Sequence, residues 1–529
     1  MGRRVGDNRW KAFGLLAVGL ITLWAGPPFT SPARASWVLP STRFGPDSTR
    51  DNFGYGPSDQ ISPLVPGSFD ATALPLAAGV QFLGDAPGAL RRDGFQLWET
   101  APGQPPRRLA ARVTATGWFG AAIASGGPGR YRLTWAAPRF FSPARTWTVA
   151  ISGHSPAPVS WPRNPLARQA LNTVRTELGE SAVRYSRSLT LAAGRHARYL
   201  AANGYQAPSF HRETAGQPEY SAATPWARDM MSGWPSPLTG EVGIESASRL
   251  SGVAAVQTLI DTVSHRLALL SPNLLAEGWQ QSRGPQGAWV MDLGYGYRAT
   301  LPYAVVYPAP GQVGLPTGWT DVEAPNPVPA KPGAPLGYPV TVDFPTATRL
   351  QNISCTWLAG PALVPFYLDR PNQAGLGANQ IGLVPQRPLP ANSVFTVSVA
   401  ADARYYDGKW RPVRISWRFA TGGADQSVLA VPLRQARLLV SVLQAGSGHP
   451  VAAAPVLVVR SGRAARRRSA LARGRTDRNG VAIIRLPRPA PAGRYDAITR
   501  TGNGVTFWWQ AGQAIRQPAR SRSWSRAAG

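Results

Sequence analysis

One stretch of about forty residues constrains the fold of this chain more than any other feature. Residues 166–204 are nearly free of Gly and Pro, although the 529-residue chain contains 55 Gly and 52 Pro. Because both residues disfavour helix interiors, the stretch predicts helices inside a chain that is otherwise not mostly helical. Its apolar residues recur at helical spacing in two stripes, Leu166, Ala170, Val174 and Leu178, then Leu189, Leu191, Ala193, Ala197 and Leu200.

Two further patterns extend this helical segment. Residues 250–270 predict a third helical stretch, with Ser251 as its N-cap. Residues 289–294 (Trp-Val-Met-Asp-Leu-Gly) are typical of a buried strand. We therefore predict an α+β domain at residues 160–305.

The remainder of the chain is rich in short apolar runs between turn residues, a pattern typical of strands. A single core rarely grows beyond ~250–300 residues, so a chain of 529 residues predicts several domains. The predicted division is a signal peptide (1–35), a β domain (36–158), the α+β domain (160–305), a Pro-rich linker (306–336), an Ig-like β domain (337–423), a second β-sandwich (430–511) and a basic disordered tail (512–529).

The first 35 residues have the three parts of an export signal. A basic start (Arg3, Arg4, Arg9 and Lys11) precedes an uncharged stretch, and Ala33-Arg34-Ala35 fits the small-x-small cleavage rule. An uncleaved anchor is the alternative, but the dense apolar run of about 13 residues is shorter than the ~20 that span a bilayer.

Cys355 is the only cysteine, which excludes an intramolecular disulfide. We expect a secreted, extracellular or wall-associated protein of bacterial type.

The net charge of +29 is distributed unevenly. Residues 160–297 hold 12 Arg and 10 acidic residues, whereas residues 425–529 hold 18 Arg and three Asp. The α+β segment is close to neutral and contains three of the five His, namely His196, His211 and His265. We therefore expect a functional site, if there is one, in this segment. Inside its helix, His196 has the pattern of a packed or surface residue.

An ordered set of short motifs in this segment resembles the CAP superfamily (cysteine-rich secretory, antigen 5 and pathogenesis-related 1 proteins) in its bacterial form. The motifs are Leu171-Asn172-x-x-Arg175, His196-Ala197, Phe210-His211, Gly240-Glu241, Ser264-His265-Arg266-x-x-Leu269-Leu270-x-Pro272, Glu277-Gly278 and Trp289 to Gly294. The resemblance covers about residues 162–300 and implies an α-β-α sandwich with a central cleft.

The resemblance also implies the residues of that cleft. His211, Glu241 and His265 occupy the matching positions, and Glu213 is a looser candidate. Two imidazoles and a carboxylate can hold Zn²⁺ with one position left for water, or can form a proton-transfer network. Equally, His265 and Glu241 could tie a helix end to the sheet by hydrogen bonds. Val242 stands where the family often has Asn, and Leu259 where the bacterial pattern usually has Trp.

The C-terminal segment resembles bacterial carboxypeptidase-regulatory-like and Ig-like β-sandwich modules. It contains an arginine cluster at Arg463, Arg466, Arg467 and Arg468. The cluster could be a solvated loop, or it could attract an anionic cell-wall polymer or a membrane surface. No nucleic-acid-binding fold or stacking motif accompanies it, so we expect no nucleic acid.

Together these patterns favour a secreted or cell-surface bacterial CAP-domain protein that binds or adheres at the cell envelope or extracellular matrix. A binding role is favoured over an enzyme, because HExxH and a recognisable Ser or Cys nucleophile setting are both missing. The alternatives are a metal-assisted hydrolase of peptidase type that uses the cleft, and a lipid-binding protein.

Overall fold

The computed structural model describes the backbone of seven strands between residues 78 and 151, and residues 164–509 with short gaps. The gaps lie at 204–209, 215, 223, 226–227, 230–231, 233, 235–238, 247–249, 283–286, 296–300, 330–332, 406–407, 462–469 and 488–489. The predictions of a signal peptide, of the partner cluster at Arg463 to Arg468 and of a basic tail lie outside the described residues.

The described elements are mostly strands. The helices are α1 (Pro165–Glu177), α2 (Arg187–Asn203), α3 (Gly252–Ile260) and α4 (Ser264–Leu270). The strands are β1 (Ala78–Leu83), β2 (Gln96–Thr100), β3 (Arg107–Leu109), β4 (Ala111–Val113), β5 (Trp118–Ile123), β6 (Gly129–Ala137), β7 (Phe141–Ile151), β8 (Arg184–Tyr185), β9 (Thr239–Ser246), β10 (Leu274–Gln281), β11 (Gly287–Tyr295), β12 (Val305–Tyr307), β13 (Gly318–Thr320), β14 (Pro335–Gly337), β15 (Val340–Asp343), β16 (Ala347–Ala359), β17 (Ala362–Leu363), β18 (Phe366–Asp369), β19 (Gln380–Pro385), β20 (Val394–Tyr405), β21 (Trp410–Ala420), β22 (Gln426–Leu433), β23 (Arg437–Gln444), β24 (Pro455–Arg460), β25 (Ala472–Arg475), β26 (Val481–Arg485), β27 (Gly493–Thr499) and β28 (Gly504–Trp509).

The chain forms two compact units, and the segment predicted as one α+β domain contributes to both. The first unit comprises Met1–Arg163, Tyr185–Ser248 and Ala276–Gly296. The second comprises Asn164–Arg184, Arg249–Leu275 and Tyr297–Gly529. Thus α2, β9 and β11 belong to the first unit, whereas α1, α3 and α4 belong to the second.

In the first unit, α2 packs on a four-stranded sheet. The sheet has the order β8-β10-β11-β9, and the packing buries Ala193, Ala197, Leu200 and Val290. Ser186 begins α2, since its hydroxyl accepts from the Leu189 N–H. Gly278 on β10 lies against the backbone of this first turn, where any side chain would collide with Thr190. Residues 78–151 form two more antiparallel sheets, β1-β5-β4 and β3-β2-β6-β7.

In the second unit, paired antiparallel sheets enclose aromatic cores. The sheets β12-β15-β19-β18 and β17-β16-β20-β21 share a core that includes Trp357, Phe395 and Phe419. The sheets β22-β23-β26 and β25-β24-β27-β28 enclose Tyr495 and Phe507. The helix α1 packs against α3, β22 and β28, while α4 packs against β15. This architecture is multidomain and rich in β structure, as predicted.

Residues 306–336, which the prolines predict to be a linker, are integrated into this unit. They form most of β12, all of β13 and part of β14, and they bury Leu315 and Trp319. Proline removes backbone donors but does not prevent burial of neighbouring apolar side chains. The large indole of Trp319, 2% exposed, and the aliphatic Leu315, 3% exposed, anchor the segment in the core.

The helical stretch predicted at 250–270 divides in two. The helix α3 begins as predicted at Ser251, whose hydroxyl accepts from the Ala254 N–H at 3.2 Å, and it ends at Ile260. The next helix, α4, starts only at Ser264. Periodicity marked the apolar face of both helices but not the break between them, which depends on a carboxylate distant in sequence.

Candidate functional site

A cluster of ionisable side chains lies inside the first unit. His196 comes from α2, His211 and Glu213 follow that helix, and Glu241 lies on β9. Arg228 reaches them from the segment before β9. All five side chains are at most 3% exposed. We call these five residues the polar cluster.

Glu241 occupies the centre of the polar cluster. Its Oε1 lies 2.8 Å from His211 Nδ1 and 3.6 Å from His196 Nε2. Its Oε2 accepts from Arg228 Nη2 at 2.7 Å. Burial opposes ionisation of Glu241, but the Arg228 charge and the neighbouring imidazoles outweigh it and hold the pKa of this carboxyl well below its usual range. Glu241 is therefore a carboxylate with both oxygens engaged.

Glu213 is held by a second set of donors. The carboxylate accepts from the backbone N–H groups of Ser221 at 2.5 Å and Ala222 at 3.1 Å, and from the Ser221 hydroxyl at 3.0 Å. His196 Nδ1 lies 3.0 Å from Glu213 Oε1, and the other ring nitrogen of His196 lies 2.7 Å from the carbonyl oxygen of Phe210. Both ring nitrogens of His196 thus face acceptors, and the imidazole joins Glu213 to the backbone before His211.

Arg228 connects the two carboxylates. Besides its bond to Glu241, Nη2 donates to the His211 carbonyl at 3.1 Å, and Nε lies 3.7 Å from Glu213. Burial lowers the pKa of this guanidinium, but the charges of Glu241 and Glu213 outweigh burial and raise it above its ordinary value. One buried cation therefore compensates two buried anions, the condition under which buried charges are tolerated.

Two further carboxyl groups border the polar cluster. Asp292 on β11 is the direct cross-strand partner of Glu241 on β9, and Asp229 follows Arg228. Both are fully buried, and burial together with neighbouring carboxylate charge raises the pKa of each well above its usual range. Like charges directly opposite on one sheet face repel, which favours the neutral form of Asp292 beside an ionised Glu241.

His265, the third residue of the predicted cleft set, belongs to the second unit and has a different partner there. Its Nδ1 lies 3.1 Å from Glu323 Oε1. Glu323 also accepts from the backbone N–H groups of Val263 and Ser264, each at 2.7 Å, and from the Ser264 hydroxyl. Burial opposes ionisation of Glu323, but His265 and these donors lower its pKa. The carboxylate thus caps the N-terminus of α4.

Of the four predicted site residues, the structure brings His211, Glu213 and Glu241 together. Sequence reasoning missed His196, which was assigned to packing, as well as Arg228 and the capping residue Glu323. His196-Ala197 was part of the resemblance and could have indicated His196. For Arg228 and Glu323 no local pattern exists, because their partners are 13 to 60 residues away along the chain.

The resemblance implies Zn²⁺ at the polar cluster, and the hydrogen bonds of its carboxylates bear on whether that ion fits. A zinc ligand needs a free lone pair, yet Glu241 gives one oxygen to a guanidinium and Glu213 is saturated by hydrogen-bond donors. A cation bound at Glu241 would also face the Arg228 charge. Within the described ranges, no group of three or more His, Cys, Asp or Glu could hold a metal ion. The donor set does not fit zinc in this arrangement.

The segment that contains the polar cluster matches a known protein family. Residues 168–293 match the model of the CAP family, described as the cysteine-rich secretory protein family. The match covers α1 to α4 and the sheet β8-β10-β11-β9 almost completely, and we call residues 168–293 the CAP segment. The position agrees with the segment that carried the resemblance. A comparison with curated proteins finds no match.

Three solved structures show a distant likeness to the chain. The N-terminal Ig1-2 module of the Drosophila receptor protein tyrosine phosphatase DLAR is 8% identical, with a TM-score of 0.14, 39% of this chain covered and 95% of that chain covered. The D00-D0 domain of intimin is 11% identical, with a TM-score of 0.12 and coverages of 39% and 99%. The S-layer protein rSbsC is 9% identical, with a TM-score of 0.15 and coverages of 83% and 52%. At these scores the likeness supports no conclusion about function.

Proposed function

We propose that this protein is an exported bacterial binding protein of the cell envelope, in which the CAP segment is a structural module and the β-rich modules make the contacts. The observation that carries the proposal is the closed arrangement of the polar cluster. Both oxygens of Glu241 are engaged, by His211 and by Arg228, and the side chains are at most 3% exposed. Catalysis requires that a substrate atom reach the acid or base directly or through one water.

A binding role, in contrast, does not require that a ligand reach the polar cluster. The export signal predicted from residues 1–35 supports an envelope location, and the excess of arginine outside the CAP segment supports attraction to anionic envelope material. No helix in the described part of the chain is long and apolar enough to cross a bilayer.

The experiment is a sedimentation assay of the purified chain with isolated bacterial envelopes, separated into wall and membrane fractions. We expect the chain to pellet with wall material in about 0.1 M salt and to be released as salt screens the charges. A chain that stays in the supernatant at every salt concentration contradicts the proposal.

A parallel assay separates binding from hydrolysis. Wall material and casein are incubated with the chain, with and without added Zn²⁺, and soluble fragments are measured. We expect none above the level of the Glu241→Gln variant. Zinc-dependent release that this variant abolishes would instead support the metal-assisted hydrolase.

A further inference from the structure

The sheet β17-β16-β20-β21 has one buried side and one exposed side. Alternate residues of β20 and β21 enter the core, and the residues between them face outward. The outward set contains four exposed arginines separated by small hydroxyl side chains. We call this set the arginine face: Arg349, Arg404, Arg414 and Arg418, with Ser354, Thr356, Thr396, Ser398 and Ser416.

The strand register concentrates positive charge on this face. Arg349 lies directly opposite Arg404, an arrangement that costs stability because like charges on facing strands repel. Among the described residues, the face carries one carboxylate, Asp402. It accepts a hydrogen bond from Asn352 Nδ2 at 2.7 Å. No carboxylate of the described part of the chain pairs with any of the four guanidinium groups. An anion bound across the face would remove this repulsion.

Between the arginines the face carries short, polar side chains. Ser398 and Ser416 are cross-strand partners whose hydroxyl oxygens lie 2.9 Å apart, and Thr356 is the partner of Ser398 on the other side. Trp410, 39% exposed, is the cross-strand partner of Arg404. Hydroxyl groups exchange hydrogen bonds with other hydroxyls, guanidinium groups bind carboxylates in a bidentate manner, and an exposed indole offers a flat apolar surface.

We infer that the arginine face binds an anionic polysaccharide whose sugars carry carboxylates, an inference that rests on the proposed envelope function and names the contact surface. A nucleic acid strand would need several aromatic platforms for base stacking, and Trp410 is the aromatic residue at this end of the face. A bilayer would need apolar side chains protruding across the face, whereas the exposed ones here, Leu363, Val394 and Trp410, stand at the ends of their strands. Flat hydroxyl rows between guanidinium groups fit a hydroxyl-rich anionic chain.

The edge of this sheet is less suited to a partner than its face. The C-terminal half of β21 is already covered, since Gly311 N donates to the Arg418 carbonyl and Ala420 N donates to the Gln312 carbonyl. In the other half, Pro412 lacks a backbone donor, which disfavours addition of a strand. A partner therefore meets the side chains rather than the backbone.

The test measures binding of the full chain to sodium alginate, a polyuronate, with uncharged dextran as the comparison polymer. The double variant Arg414→Gln/Arg418→Gln removes two charges from the face. The control Arg434→Gln/Arg485→Gln removes two exposed arginines near β23 and on β26. In 0.1 M NaCl we expect at least a tenfold weaker Kd for the face variant, less than a twofold change for the control, and no dextran binding.

Three outcomes would overturn the inference. They are equal losses in both double variants, no alginate binding by the wild-type chain, and equally tight binding to anionic phospholipid vesicles or single-stranded DNA. The envelope assay distinguishes the two proposals. If the face variant still pellets with wall material as the wild type does, the arginine face is not the contact but envelope binding stands. If the wild type does not pellet, the proposed function itself fails.

Discussion

At the residue scale, the polar cluster depends on Arg228. Its guanidinium is 0% exposed and lies between Glu241 and Glu213, whose charges it compensates. Removing one member of a buried ion pair leaves an unpaired charge inside the protein, which costs far more than removing an exposed pair.

We therefore expect Arg228→Met to lower the free energy of unfolding of the unit by about 3–5 kcal/mol, as for other broken buried ion pairs. The matched control is Arg198→Met on α2, whose pair with Glu219 is 34% and 44% exposed. Exposed pairs contribute only about 0–1 kcal/mol, so the control should melt close to the wild type. Similar melting temperatures for both variants in calorimetry would refute the role given to Arg228.

Asp343 on β15 predicts a pH dependence of stability. Burial raises its pKa to about 7, although a side-chain hydrogen bond with Gln380 opposes the shift. An unfolded aspartate titrates near ~3.9, so the folded chain holds this proton more tightly. The contribution of this proton to the free energy of unfolding is complete below about pH 4. It falls as the pH rises towards 7 and then levels off, a change of at most about 4 kcal/mol.

The Asp343→Asn variant should lack this dependence. Thermal unfolding of wild type and variant is compared at pH 5 and pH 8, and the difference in Tm between the two proteins should shift in favour of the variant at pH 8. A difference that stays constant between the two pH values would show that Asp343 does not titrate in this range.

At the element scale, the sequence predicted which segments are helical or extended more completely than it predicted where they end. The Ser251 cap and the strand at Trp289 agree with the pattern, because both are local signals. The break before α4 and the burial of Trp319 escaped prediction. Both depend on contacts between segments far apart in sequence, such as Glu323 with Ser264 across 59 positions.

Glu323 gives a prediction for α4. Replacing this cap with Glu323→Ala leaves the N–H groups of Val263 and Ser264 without their acceptor, and loss of a capping acceptor costs roughly 0.5–2 kcal/mol. Hydrogen exchange of these two amides should be faster than in the wild type, while exchange of the amides in α3 should stay close to the wild-type rate. Glu323→Gln keeps an acceptor oxygen and should lie between the wild type and the alanine variant. Unchanged exchange in both variants would exclude the capping role.

At the scale of the whole molecule, the CAP segment is not packed as a separate body. Its helices α1 and α3 belong to the second unit, where α1 contacts β22 and β28 and α3 contacts β22 and β23. Sequence alone indicated a self-contained domain at 160–305, because motif order reveals which family a segment belongs to but not what covers its helices. Apolar faces that are buried against another module become exposed when that module is removed.

A truncation tests this arrangement. We expect the excised segment 160–305 to lack a cooperative thermal transition, whereas residues 160–511 should show one, because α1 and α3 keep the strands they pack on. Circular dichroism during heating measures both. A cooperative melt of the excised segment would show that it folds alone.

The central claim is that the polar cluster of the CAP segment is a self-paired structural network rather than a metal centre. Calorimetric titration of the full chain with Zn²⁺, beside the Glu241→Gln/His211→Ala variant, tests it most directly. We predict that wild type and variant give the same weak titration, since Arg228 and His211 already occupy the oxygens of Glu241. One equivalent of tightly bound zinc in the wild type that is lost in the variant would contradict the claim.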